Sequence, residues 1–228
     1  MRAALSFLFL AACGGPSSLL QTRAVRLDPG GTTLEDAAAM GADTAIVAEP
    51  PKSTTRLRVF LSLRVVDRDS AHAAVRAASS RTDVEGVVLE GLETLVLDDE
   101  VARALFGWLT RATPEEKPAE WKAFRPLAVA QLVRDLRRAV REGFRLLAWV
   151  SESGERDARF WNLDAIITEP PSSRVVTPGG TPLRTARSGP PLWWAASLAE
   201  LERAKSVGGA GIVLVGSHPV EKVRQAWH

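Results

Sequence analysis

From Ala24 onward, short apolar runs alternate with segments whose apolar residues recur at helical spacing, and this alternation constrains the fold more than any other feature. Eight runs read as strands: AVRLDP (24–29), TAIVAEP (44–50), RLRVFLSLRV (56–65), VEGVVLEGL (84–92), RLLAWVS (145–151), LDAIITEP (163–170), PLWWAAS (191–197) and GIVLVGS (211–217). Several are apolar on both faces, which suits strands covered by helices rather than a sheet with one wet face. Parallel neighbours must be joined by crossovers, so strand–helix alternation of this kind builds a parallel sheet. Eight units predict an α/β fold, a (βα)8 TIM-like barrel forming one domain over 24–228.

The intervals carry matching helix signals. Thr32 and Glu35 are spaced for a capping box before LEDAAAMG, and Ser197 and Glu200 for another before LAELERAKSVGG. Pro126 is expected to open PLAVAQLVRDLRRAVREG, where Leu132, Val133, Leu136 and Val140 share a face. Asp98 or Asp99 caps EVARALFGWLT, and Pro219 stands at the start of a last helix. One interval breaks the pattern. PPKSTT is too short for a crossover helix, so the barrel is expected to be irregular between the second and third strands, or the third not to follow the second directly.

Ahead of the barrel, MRAALSFLFLAACGG has one basic residue, an apolar stretch from Ala3 to Leu10, and small residues before Cys13. The apolar run falls short of the ~20 residues that a membrane-spanning helix needs. Leu10-Ala11-Ala12-Cys13 resembles the lipobox of bacterial lipoproteins. The resemblance implies cleavage before Cys13 and acylation of that cysteine, so the expected partner is a membrane reached through the acyl anchor. Residues 1–12 are then a signal peptide and 13–23 a tether, on an envelope protein facing the periplasm or the cell surface. Cys13 is the sole cysteine, which excludes an internal disulfide.

The net charge is +2 and the basic residues are dispersed. Their densest group, Arg134, Arg137, Arg138 and Arg141, falls on one helix as a solvated face. No basic stripe carries interleaved aromatics, so nucleic acid is not an expected partner. Seven tryptophans with no tyrosine favour a glycan ligand, because an indole offers a broad apolar face with a polar edge.

Two strands end alike, IVAEPP at 46–51 and IITEPP at 166–171. Proline cannot donate to a ladder, so each pair stops its strand. In a (βα)8 barrel the site forms at the carboxyl ends of the strands. Asp28, Glu49, Glu90, Glu152 and Glu169 all fall at or just past such ends. As strands two and six of eight, the two repeats would face each other across the mouth. Alternation then puts Ala45, Val47 and Glu49 inward, with Ala165, Ile167, Glu169 and Gly86, Val88, Glu90. The ordinary polarity of strand ends explains the same acids without a site.

RVFLSLRV followed by VEGVVLEGLE resembles the middle of chitinase-like glycoside hydrolase barrels, with Glu85-Gly86 on their Asp-Gly and Glu90 on their terminal acid. Their proton donor would fall on Leu92, with Glu93 one place late. LLAWVSESGERDARFW is similar to a strand-plus-acid stretch of galactosaminidase-like barrels. TTLEDAAAMGADTAIV and LLAWVSESGERDARFWNLDAIITEPP look like parts of glycerophosphodiester phosphodiesterases. That family's His-Arg pair is missing from RLDPGG, and its metal-binding acids fall on Ile46 and Ala48.

The resemblances imply a glycoside-hydrolase-like barrel acting on or binding a glycan, with Glu90 and Glu169 as the catalytic carboxyls. Asp28, Glu49, Glu93 and Glu152 would line the substrate site, and Trp149, Trp193 and Trp194 would offer stacking surfaces. No cofactor or metal is expected. The alternatives are a catalytically inactive barrel lipoprotein with a binding or scaffolding role, and a degenerate phosphodiesterase relative. Acids converging on one cleft would favour an enzyme, and acids paired with arginine would favour the inactive barrel. VGGAGIVLVGSHP resembles a barrel phosphate cradle, although a helix stop followed by a serine cap accounts for the same residues.

Overall fold

The computed structural model describes residues 22–52, 55–151, 154–158, 160–168, 192–207 and 211–227. Eight strands follow in chain order: β1 Thr22–Leu27, β2 Thr44–Val47, β3 Arg58–Arg64, β4 Gly86–Glu90, β5 Arg145–Trp149, β6 Ala165–Thr168, β7 Leu192–Ala195 and β8 Gly211–Leu214. Every neighbouring pair is parallel, and β1 pairs with β8 through Thr22 and Gly211. The sheet is therefore a closed barrel in the order β1 to β8, the expected (βα)8 fold. β1 begins at Thr22, inside the stretch assigned above to the tether.

The apolar runs fill two separate volumes. Ala24, Ile46, Phe60, Val88, Leu147, Ala165, Ile167, Leu192 and Val213 pack together inside the barrel. Alternate residues such as Val25, Ala45, Val47, Val59, Leu61, Val87 and Leu89 face the helices, where they meet Ala37, Met40, Val75, Leu132 and Leu136. This two-sided burial is why the strands read as continuous apolar runs. It also corrects one expectation. Ile46 is the inward residue of β2, so Ala45 and Val47 lie on the helix side.

Seven helices are described: α1 Leu34–Ala39, α2 Arg68–Ser79, α3 Glu100–Thr110, α4 Pro118–Ala139, α5 Glu155–Ala158, α6 Leu198–Val207 and α7 Val220–Trp227. The α1 capping box uses Thr33 and Asp36, one place beyond the expected pair. Asp99 caps α3 by accepting from the Ala102 N–H at 2.8 Å. α4 opens at Pro118, and Pro126 lies inside it, where its ring cannot donate to the carbonyl one turn back. Edge-to-face contacts of Phe106 with Trp121 and Phe124, at 5.2 and 5.4 Å, bind α3 to the first half of α4.

Among the described residues no helix joins β2 to β3, yet Thr44 to Val47 pair directly with Arg58 to Leu61. The third strand does follow the second in the barrel, despite the short connection between them. At the barrel floor Asp43 holds three strands together. It accepts from the Arg23 N–H at 3.1 Å and from Arg58 Nη2 at 2.6 Å. Further round, Asp164 at the start of β6 ties β5 and α4 together, accepting from the Leu146 N–H at 2.7 Å and from Arg137 of the helix.

Candidate functional site

The carboxyl ends of β1, β3, β4, β5 and β7 bring one polar and aromatic cluster to the barrel mouth. Above the apolar interior the inward positions become Arg26, Ser62, Glu90, Trp149 and Trp194, each two residues past an inward Ala24, Phe60, Val88, Leu147 or Leu192. Glu90 lies at the last position of β4. Its Oε1 accepts from Ser62 Oγ and sits 3.0 Å from Nη1 of Arg26.

Arg26 is the centre of the cluster. Its stem rises from β1, and its guanidinium reaches the opposite wall of the ring. There it pairs with Glu90 and lies 5.2 Å from the centroid of the Trp149 ring. Its Nε is 3.4 Å from Oδ1 of Asp28, just past the end of its own strand. Trp194 touches Trp149 at 6.1 Å between centroids, with the ring planes tilted by 41°. A pair tilted in this way makes one bent apolar wall, not a slot for a flat ring between parallel faces. Both indoles are half-buried, so each keeps some open surface.

The remaining expected residues divide. Glu49 is exposed beyond the end of β2, where Ile46 is the inward residue. Glu93 turns away from the mouth centre. Its carboxylate accepts from the Ser151 N–H at 3.0 Å and from Ser151 Oγ at 2.8 Å, fastening the loop after β4 to the loop after β5. Gly154 makes this possible, because a side chain there would overlap the Glu93 carboxylate. Arg125 of α4 holds the same loop from outside by donating to the carbonyls of Glu93 and Leu95.

Trp193 is buried on the helix side of β7, leaving no open face for a ligand. Cys13, Glu152 and Glu169 lie outside the described residues, as do residues 1–12, where a signal peptide was expected, and the second Glu-Pro-Pro. His218 Nε2 lies 2.9 Å from the Val215 carbonyl and so closes its own turn. Among the described residues no three His, Cys, Asp or Glu side chains gather to hold a metal. None of the described helices is long and apolar enough to cross a membrane.

Arg26 and Ser62 are the site residues that sequence reasoning missed. RAVRLD looks like a solvent-edge strand, with basic residues at Arg23 and Arg26. The available signal was parity, since Arg26 shares its face with Ala24 and Asp28.

An indole wall, a guanidinium, a hydroxyl and two carboxylates supply stacking surface together with donors and acceptors. A hydrolytic site of the glycosidase kind needs two carboxyls free to act on opposite sides of a bond. Glu90 is already engaged by an arginine and a serine.

The fold and this mouth define a (βα)8 barrel with an arginine-centred aromatic cluster. No family model matches the chain, and no curated protein matches it. Among solved structures it is similar to the crystal structure of the Amycolatopsis orientalis BexX/CysO complex, with a TM-score of 0.51 and 14% identity, over 91% of this chain and 88% of that chain. A phosphoribosyl anthranilate isomerase gives a TM-score of 0.49 at 11% identity, over 91% of this chain and 97% of that one. An orotidine 5'-phosphate decarboxylase from Lactobacillus acidophilus gives 0.46 at 13%, over 91% and 99%. At 14% identity the first of these likenesses speaks for the fold alone.

Proposed function

We propose that the protein is a lipid-anchored envelope protein whose barrel mouth binds a glycan and does not hydrolyse it. The observation that carries this reading is the engagement of Glu90 by Arg26 at 3.0 Å, with the guanidinium lying over Trp149. The acid best placed for bond cleavage is committed to an ion pair, while the two indoles beside it remain partly open. The anchor rests on Leu10-Ala11-Ala12-Cys13.

The test is a titration of the full chain in detergent with a panel of neutral and charged oligosaccharides. Tryptophan fluorescence reports binding, and product analysis reports cleavage. Saturable quenching without product, lost in Trp149→Ala, is the expected result. Cleavage abolished by Glu90→Gln would establish the hydrolase instead. Failure of every oligosaccharide to bind would remove the glycan from the proposal.

A further inference from the structure

The groups around the Arg26 guanidinium form a cage for a cation. The face of Trp149 lies 5.2 Å from its carbon, Glu90 lies 3.0 Å from Nη1, and Asp28 lies 3.4 Å from Nε. An indole face flanked by carboxylates is the set that recognises ammonium and guanidinium ions. Here the chain supplies its own occupant. That occupant sits on a long flexible stem, 29% exposed, which can swing outward without moving β1.

Two carboxylates contact this one guanidinium, so among the groups in contact the carboxylates outnumber the cations by one. Asp28 is the accessible one, 51% exposed and, among the described residues, held in the cluster by its 3.4 Å contact with Arg26. Arg64 lies on the same face of β3 as Ser62, in register with Glu90 and exposed. Its guanidinium pairs with no carboxylate among the described residues, so it does not cancel the surplus by contact. A ligand entering the cage gains most if it brings a positive charge. A neutral ligand displaces a guanidinium from an aromatic face and returns nothing for the lost ion pair.

We infer that the glycan is an amino sugar with a free ammonium group, bound against Asp28 and the Trp149 face as Arg26 swings aside. This inference rests on the glycan-binding reading above and names its ligand class. An acetylated amine carries no charge, so the two forms of one sugar separate the charge from everything else the site recognises.

The experiment titrates the full chain in detergent with β-1,4-linked glucosamine oligosaccharides and with their N-acetylated counterparts of equal length. Tryptophan fluorescence and calorimetry are the readouts. The amine series is expected to bind roughly tenfold more tightly or better. Asp28→Asn should erase that preference, and Arg26→Met should strengthen amine binding by removing the internal competitor. Equal binding of the two series, or a preference that survives Asp28→Asn, overturns the inference and leaves glycan binding standing. Binding by neither series, nor by any glycan of the wider panel, overturns both. Should Arg26→Met fail to fold, the wild-type comparison and Asp28→Asn still decide.

Discussion

The guanidinium of Arg26 and the carboxylate of Glu90 meet across the barrel mouth at 3.0 Å, linking β1 to β4. These strands are not neighbours in the ring, so the pair joins walls that no ladder joins. Both side chains keep about a quarter of their surface, 29% and 26%, so solvent weakens the bond without dissolving it. Arg26→Met and Glu90→Gln are each expected to cost about 1–2 kcal/mol. The double variant should cost less than the sum, with a coupling of about 0.5–1 kcal/mol by urea unfolding. Strict additivity would mean that the two groups do not interact in solution.

Gly154 and Glu93 give a second coupled pair. A methyl at Gly154 overlaps the Glu93 carboxylate, so Gly154→Ala expels it from the Ser151 N–H. The expected loss is about 1–3 kcal/mol. In a Glu93→Ala background the same glycine change should cost much less, because the overlap is gone. Equal costs in both backgrounds would show that the glycine serves some other constraint. Thermal unfolding of the four proteins measures the difference.

At acid pH the helix starts should be the sensitive points. Asp36 is held below the ordinary aspartate value of 3.8 chiefly by the backbone N–H of Thr33, and then by the Thr33 hydroxyl. Asp67 is held below it chiefly by the backbone N–H of Ser70. A carboxyl whose folded pKa is depressed adds stability above its unfolded pKa and loses it as pH falls through the folded value. Both contributions should therefore be intact above about pH 5 and fade below the ordinary value near 3.8. Asp36→Asn and Asp67→Asn should flatten the acid limb of melting temperature against pH. An unchanged limb in the double variant would place the acid sensitivity elsewhere.

Gly86 tests the barrel interior. A methyl there would stand 2.5 Å from the Arg145 carbonyl and 2.7 Å from Cε1 of Phe60. The ring could give way, but the carbonyl belongs to the neighbouring strand and cannot. Gly86→Ala should destabilise by about 1–3 kcal/mol, and Phe60→Leu should rescue only part of it. Full rescue by Phe60→Leu would show that the strand backbone yields.

The anchor proposal has a direct test at Cys13. Cys13→Ser cannot be acylated, and the protein should move from membrane to soluble fractions, since several acyl chains hold where one holds only marginally. Unchanged membrane association would refute acylation as the means of attachment.

All eight strands were legible in order, because each is a short apolar run bounded by turn residues or a charged turn. Facing was harder to read. In TAIV all four residues are buried and Ala45, Ile46 and Val47 are all apolar, so alternation cannot tell inside from outside, and the expected face of Ala45 and Val47 was reversed. Trp193 and Trp194 are equally ambiguous as neighbours, since one must face the helices and the other the mouth. The start of α4 was misread because Pro118 and Pro126 both suit a first turn, and only packing of Trp121 and Phe124 on α3 decides between them. Of the site, Glu90 was visible as a strand-end acid. Arg26 was not, because a single inward arginine is defined by partners that lie far away along the chain.

The seam between Thr22 and Gly211 makes closure a late event in the life of the chain. During synthesis β1 emerges first and has β2 on one side only. Its other edge waits for β8, with nearly the whole barrel in between. Until residues 211–214 arrive, both ends of the growing sheet carry unpaired backbone groups, the condition that invites holding by a chaperone. A precursor carrying a secretory leader would gain from that delay.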